Sequence, residues 1–175
     1  LNTPYDKERY ERFEILFENL NKTEFKRIPD PNNTNSKYEN FAFFESYFSN
    51  YIEGTKFTVE DAKRIIDTGI PLFSKEEDSH DVLGTYKITS NKHLFSITPQ
   101  NTEKFFRLLI DRHKTLLENR KSVNAGYFKE LNNQAGSTVF VHPDLVKGTL
   151  EKGFKFYLAL REPLQKAAYI MFLIS

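Results

Sequence analysis

Cysteine is absent from this sequence of 175 residues, and its absence excludes disulfide bonds, zinc sites built from thiolates and catalysis by a thiol. The four histidines are scattered, so the sequence indicates no metal site. No apolar run reaches the roughly 20 residues that a membrane span requires. The first residues, LNTPYDKERYERF, lack the basic-then-apolar order of a signal peptide. We therefore expect a soluble, cytoplasmic protein with no membrane partner.

Charge of a single sign is also lacking. The 25 basic and 24 acidic residues are spread along the chain and leave a formal net charge of +1. Binding to a phosphate backbone usually requires a dense positive field, so nucleic acid is not expected as the main partner. The sequence leaves open whether the chain forms a homo-oligomer.

Apolar residues are plentiful, at 39% of the sequence with 17 Phe and 9 Tyr, which is enough for a globular core. Their spacing predicts a mainly α-helical fold with one small β-hairpin. Residues 1–36 are predicted to form an N-terminal helix and a linker, and residues 37–175 the main domain. The predicted helices cover residues 5–20, 38–52, 59–68, 80–86, 102–121, 125–131, 143–151, 152–160 and 163–175, and the predicted strand covers residues 138–141.

Glycine, threonine and proline mark several of the predicted helix ends. Gly54 and Gly69 are expected to stop two helices, because glycine adopts the left-handed conformation of a helix C-terminus without strain. Thr58 suits an N-cap, and Pro143 and Pro163 suit first turns. The segment 38–52 is dense in aromatic residues, and we expect it to lie in the core.

The sequence SNYIEG places Ser49, Glu53 and Gly54 at the end of a predicted helix. A carboxylate in the last turn is not stabilised by its own helix, because the helix dipole already presents partial negative charge at that end. Glu53 therefore either has a cationic partner elsewhere or is an ordinary solvated glutamate. Ser49 lies one turn earlier on the same face, where it could hydrogen-bond to Glu53.

This stretch fits the pattern Ser/Thr-x-x-x-Glu-Gly/Asn and resembles the inhibitory helix of the Fic family, with Ser49, Glu53 and Gly54 in the motif. Downstream, AGSTVFVHPDLVKGTLEKGFKFYLALREPLQKAAYIMFL resembles the Fic segment that contains the flap hairpin and the helix before the active-site loop. The two similarities follow the family's order and cover about residues 38–175. The resemblance implies a Fic-like helical bundle in residues 37–175, incomplete at its C-terminal end.

The resemblance also implies a reaction, that of a protein adenylyltransferase. A target hydroxyl attacks the α-phosphate of ATP, held with Mg²⁺, and pyrophosphate leaves. The base and the phosphate-binding groups belong to a loop H-P-F-x-x-G-N-G-R, which we expect after Ser175. No catalytic residue is therefore expected in this sequence, nor tight binding of ATP or Mg²⁺. His142 and Pro143 begin like this loop but lack its glycine-rich continuation, so His142 is not expected to be the base.

The residues that are present would have two roles in such an enzyme, regulation and target docking. Glu53 would pair with an arginine of the loop and so keep ATP from sitting productively. Thr138, Val139, Phe140 and Val141 would form a flap that holds an extended segment of the target protein by main-chain hydrogen bonds. The alternative is a structural hairpin with Val139 and Phe140 buried.

Two other interpretations remain open. One is a non-catalytic helical binding module, similar to the antitoxin-like inhibitors that offer the same Ser-x-x-x-Glu-Gly pattern to a separate Fic chain. Such a module needs neither the flap nor the helix before the loop, and this sequence resembles both. The other is a purely structural helical domain, which would make the two ordered similarities a coincidence.

Overall fold

The computed structural model describes residues 3–120 and 123–175. These residues form eight α-helices, one short 3₁₀ turn at Phe73–Lys75 and one two-stranded antiparallel hairpin, which confirms the prediction of a mainly helical fold with a small hairpin. None of the described helices is long and apolar enough to cross a membrane. The elements are α1 (Lys7–Lys22), α2 (Asn35–Ile52), α3 (Val59–Thr68), α4 (Glu76–Thr89), α5 (Lys92–Ser96), α6 (Thr102–Leu117), β1 (Gln134–Ala135), β2 (Thr138–Val139), α7 (Pro143–Ala159) and α8 (Pro163–Ile174).

The described residues divide into two compact units. The first unit takes residues from 1–28, 100–104 and 128–175, and the second takes residues from 29–99 and 105–127. Helix α1, from the segment predicted to be separate, packs against α7 and α8 inside the first unit. The predicted boundary at residue 36 stays a prediction.

The first unit is a three-helix arrangement of α1, α7 and α8 that also carries the hairpin. Helix α1 begins after Asp6, whose carboxylate accepts a hydrogen bond of 2.9 Å from the backbone N–H of Arg9. Phe13 of α1, Phe154 of α7 and Tyr169 of α8 are almost completely buried. Removing these large aromatic side chains from water is the main stabilisation of this unit.

The second unit is organised around α4, which packs against α2 and α3. Thr58 caps α3 by accepting a hydrogen bond of 3.1 Å from the N–H of Asp61. Gly69 ends the same helix in the left-handed conformation, at φ 67°. The two ends are as the sequence predicts, since both are set by local backbone chemistry. The core of this unit contains Phe57, Ala62, Ile65 and Val82.

Phe43 and Tyr47 pack, partly buried, against the core cluster of the second unit, so the expectation that α2 is an aromatic core segment is met only in part. The buried residues of α2 are small or polar, namely Ala42, Ser46 and Asn50. Phe48 is 52% exposed and Tyr51 is 49% exposed. The reason is that α2 approaches α4 so closely that its carbonyls and side chains exchange hydrogen bonds with α4. Large rings do not fit in such an interface, so several of them face outward.

Other corrections concern element length and one false helix. The predicted piece 80–86 is the middle of α4, the predicted helices 143–151 and 152–160 are one continuous α7, and α5 was not predicted. Residues 125–131 contain no helix. Gly126 there has a φ of 83°, and its N–H donates to Nδ1 of His113 at 2.8 Å. This tertiary bond replaces the helical bond that the local pattern favours.

Candidate functional site

The end of helix α2 carries the three residues of the predicted inhibitory motif. Glu53 is the C-cap residue, and Gly54 follows at φ 104°. The N–H of Gly54 donates to the carbonyl of Tyr51 at 3.1 Å, and the N–H of Thr55 donates to the carbonyl of Asn50 at 3.0 Å. This pair of bonds is a Schellman motif, in which only glycine adopts the positive φ without strain. The prediction that Gly54 ends α2 in the left-handed conformation is therefore confirmed.

An open pocket of about 480 Å³ lies beside this helix end, within the second unit. Ser49, Glu53 and Gly54 all line it, so the structure brings the predicted motif residues to one concave surface. The remaining lining residues are Asn50, Thr55, Asp78, Asp81, Thr85, Leu116, Leu117 and Arg120. Among the described lining residues there are therefore three carboxylates and one guanidinium.

Arg120 is the one basic side chain among the described lining residues, and it is already paired. Its Nε donates to Oδ1 of Asp81 at 2.8 Å, and its Nη2 donates to Oδ2. These hydrogen bonds, with the nearby negative charges of Asp81, Glu77 and Asp78, raise the pKa of Arg120 above its usual value. The guanidinium is thus held by α4.

The pairing depends on the close approach of α4 to the end of α6. Gly84 lies three residues after Asp81, and a Cβ added to it would sit 2.7 Å from the carbonyl oxygen of Leu116. A side chain at position 84 would push the two helices apart. Glycine therefore permits the contact that brings Arg120 to Asp81.

The carboxylate of Glu53 is exposed and forms no hydrogen bond or ion pair with any residue in the described ranges. Ser49 does not bond to it, because the hydroxyl of Ser49 donates to the carbonyl of Glu45. The one basic side chain among the described lining residues, Arg120, is paired with Asp81. Among the described residues, therefore, none neutralises the Glu53 carboxylate.

The hairpin residues belong to the first unit, where they divide into two pairs. Thr138 and Val139 form β2, which pairs with β1 in the register Gln134 to Val139 and Ala135 to Thr138. Val139 is 66% exposed, so the alternative of a buried Val139 is wrong.

Phe140 and Val141 follow the strand and are half-buried. They line a cavity of about 270 Å³ together with Arg9, Lys129 and the end of α8. The ammonium of Lys129 lies 5.7 Å from the centre of the Phe140 ring. Phe140 and Val141 therefore anchor the hairpin, while Thr138 and Val139 present it to solvent.

Two histidines have structural roles, His142 at the start of a helix and His113 at a turn. His142 is the N-cap of α7, and its Nδ1 accepts a hydrogen bond of 3.3 Å from the N–H of Asp144. His113 holds the turn at Gly126. The buried Nδ1 of His80 has no hydrogen-bond partner within residues 3–120 and 123–175. No group of three potential metal ligands is found among the described residues.

The sequence pattern did not indicate four residues of the pocket that the structure makes prominent: Asn50, Asp81, Thr85 and Arg120. Asp81 and Arg120 are 39 residues apart, and Asn50 and Thr85 are 35 residues apart. Residues so far apart in the sequence form no local pattern that would predict their contact. A scan against protein-family models and searches of curated proteins and of solved structures found no match to this chain.

Proposed function

We propose that this chain is the regulatory and target-docking portion of a Fic-type protein adenylyltransferase that acts in the cytoplasm. In this function Glu53 is the inhibitory residue, and the hairpin at β1 and β2 receives the target. Catalysis would come from a loop of the type H-P-F-x-x-G-N-G-R that follows Ser175.

The observation that carries the proposal is the exposed carboxylate of Glu53 at the end of α2, which forms no hydrogen bond or ion pair with any residue in the ranges 3–120 and 123–175. Gly54 holds the backbone there in the Schellman geometry, so the direction in which Glu53 leaves the helix is well defined. A carboxylate at a helix C-terminus is unfavourable unless a cation meets it, and Asp81 already occupies the one basic side chain of the described lining. An arginine from the catalytic loop would supply the missing partner and form a charge-assisted hydrogen bond.

Target docking is supported by the exposure of the hairpin. Residues 131–139 are all exposed, and among the described elements β1 and β2 pair only with each other. A two-stranded ribbon with a free edge can accept a third, extended strand through main-chain hydrogen bonds. Such binding orients a target hydroxyl without demanding a particular target sequence.

The pocket beside Glu53 does not fit a nucleotide by itself. Its described lining has three carboxylates and one guanidinium, which Asp81 neutralises, so a triphosphate would meet repulsion there rather than a cradle of N–H donors. We therefore assign ATP and Mg²⁺ to the loop and derive no step of their chemistry from the described residues.

The first test is to read the coding sequence after Ser175. The proposed function requires a loop with the histidine, glycines and arginine of H-P-F-x-x-G-N-G-R directly downstream. A coding sequence that continues without such a loop overturns the enzyme and leaves the antitoxin-like binding module, which can be tested by titrating this chain against a separate Fic protein.

The second test is AMP transfer from labelled ATP by the chain that includes the loop. We expect Glu53→Gln and Glu53→Gly to raise automodification by about tenfold or more, because each removes a charge-assisted interaction with the loop. Glu45→Gln is the matched control, since Glu45 is also exposed on α2 but lies outside the pocket lining. An equal rate in Glu53→Gln and the parent chain would overturn the inhibitory role.

A further inference from the structure

Helix α2 faces α4 with three residues spaced four apart, Ala42, Ser46 and Asn50. They are 0%, 0% and 8% exposed. A spacing of four places side chains on one face of a helix, so these residues form a continuous buried stripe. The stripe contains a hydroxyl and an amide where a helix interface usually has apolar side chains.

Each position along this stripe is tied to α4 by a specific hydrogen bond. The hydroxyl of Thr89 shares its proton between the carbonyl of Ala42 at 3.2 Å and the carbonyl of Thr85, in its own helix, at 3.1 Å. The hydroxyl of Ser46 donates to the carbonyl of Val82 at 2.8 Å. We call these bonds, together with the bond of Asn50 described next, the α2–α4 polar seam.

Asn50 makes the bond of the seam that lies nearest to Glu53. Its Nδ2 donates to Oγ1 of Thr85 at 3.0 Å and to the carbonyl of Ser46 at 2.8 Å. The Thr85 hydroxyl in turn donates to the carbonyl of Asp81 at 2.9 Å. Asn50 and Thr85 both line the pocket that contains Glu53.

The polar seam determines where α2 lies along its own axis. An apolar interface can slide at modest cost, but sliding α2 by one turn, about 5.4 Å, would leave buried donors and carbonyls without partners. Glu53 follows Asn50 by three residues, which is about 4.5 Å along the axis. The bond between Asn50 and Thr85 is therefore the contact of the polar seam that lies nearest along the helix to Glu53.

We propose that Asn50 and Thr85 are positioning residues that hold Glu53 at the position along the axis of α2 that inhibition requires. This inference rests on the proposed function of Glu53. Loosening their bond allows the last turn of α2 to open or shift. The ion pair between the Glu53 carboxylate and the arginine of the catalytic loop is then less populated. The enzyme becomes partly active although Glu53 itself is unchanged.

The test compares Thr85→Val with Thr85→Ser and with Thr115→Val. Valine keeps the shape of threonine but removes the oxygen that accepts from Asn50, whereas serine keeps that oxygen. Thr115 is the matched control because it is also half-buried, and its hydroxyl makes the same type of intrahelical bond, 3.0 Å to the carbonyl of Asp111. It has no bond to a second helix in the described ranges.

Two readouts are needed. In the present chain, we expect Thr85→Val to speed amide hydrogen exchange of Gly54 and Thr55, whose N–H groups close the last turn. In the chain that includes the loop, we expect automodification to rise about three- to tenfold, the effect of losing one net hydrogen bond. Thr85→Ser and Thr115→Val should match the parent chain in both measurements.

The double variant Thr85→Val/Glu53→Gln separates the two proposals. If Thr85 acts through Glu53, the double variant is no more active than Glu53→Gln alone. If Glu53→Gln leaves the rate unchanged, the proposed function is overturned. If Glu53→Gln raises the rate but Thr85→Val changes neither rate nor exchange, or Thr115→Val changes them equally, only the positioning role is overturned.

Discussion

Two nitrogens of the Arg120 guanidinium donate hydrogen bonds to the carboxylate of Asp81. The two residues lie 39 positions apart in the sequence. Their side chains are 29% and 15% exposed, so the pair is partly withdrawn from water. Both residues line the pocket at the end of α2, and the only guanidinium of its described lining is thus already paired.

We expect Arg120→Met to lower the free energy of unfolding by about 1–3 kcal/mol, because it leaves the partly buried Asp81 carboxylate without its donors. The control is Lys63→Met. It removes an exposed pair to Asp67 of 3.0 Å, which should contribute no more than about 0.5 kcal/mol. Urea unfolding measures both. Equal losses in the two variants would show that the Arg120 pair behaves as a surface pair.

Substitutions on the buried face of α2 should cost more stability than substitutions on its exposed aromatic face. We expect Ala42→Val to destabilise by about 1–3 kcal/mol, because Ala42 is fully buried and its carbonyl accepts from Thr89. Phe48→Ala should cost about 1 kcal/mol or less, since half of that ring is in water. Thermal and urea unfolding of both variants test the order. A larger loss for Phe48→Ala would mean that the aromatic face is covered in solution.

Alkaline pH should destabilise the first unit through Tyr169. Burial, with an added contribution from Tyr10, raises the pKa of Tyr169 above its usual 10.0. Its hydroxyl donates to the carbonyl of Gly153 at 2.8 Å. The folded state therefore keeps a proton that the unfolded state loses above pH 10. This stabilisation is complete below pH 10 and decreases as the pH rises further, by at most about 1.4 kcal/mol per pH unit.

The check is urea unfolding at pH 8, 10 and 11 for the parent chain and for Tyr169→Phe, which cannot ionise. We expect the parent chain to be the more stable one at pH 8, where the hydrogen bond to Gly153 is intact. Its advantage should shrink at pH 11. An advantage that is constant across this range would mean that Tyr169 ionises equally in both states.

Removing the hairpin should affect target docking but hardly affect folding. When residues 134–139 are replaced by Gly-Ser, we expect a change in unfolding free energy below about 1 kcal/mol, because these residues are exposed. In the chain with the loop, target modification should be lost while ATP affinity is retained. Val139→Ala is the control, since it keeps the main-chain bonds. Loss of ATP affinity with the hairpin would assign it a structural role.

Local chemistry made much of the fold predictable. The N-cap at Thr58, the left-handed glycines at positions 54 and 69 and the prolines that open α7 and α8 are all where the sequence places them. Each depends on a backbone preference that acts within a few residues. For the same reason, the position of Glu53 at a helix end was predictable.

Distant contacts made other features unpredictable. The helical pattern of residues 125–131 was overridden at Gly126 by a bond to His113. The aromatic residues of α2 indicated a core segment, but hydrogen bonds between α2 and α4 reserve the buried face for small and polar side chains. Hydrophobicity alone does not reveal which face of a helix meets a partner when most of its circumference is apolar.

The sequence by itself therefore determined the mainly helical class, several helix ends such as those at Gly54, Thr58 and Gly69, and the presence of an unfavourably placed carboxylate at the end of α2. Only the tertiary structure decided what surrounds that carboxylate. Arg120 forms an ion pair with Asp81, and the side-chain amide of Asn50 donates a hydrogen bond to the hydroxyl of Thr85. Helix ends follow from interactions between neighbours along the chain, whereas these pairs join residues more than 30 positions apart. Such pairs form only when the packing of α2, α4 and α6 brings them together.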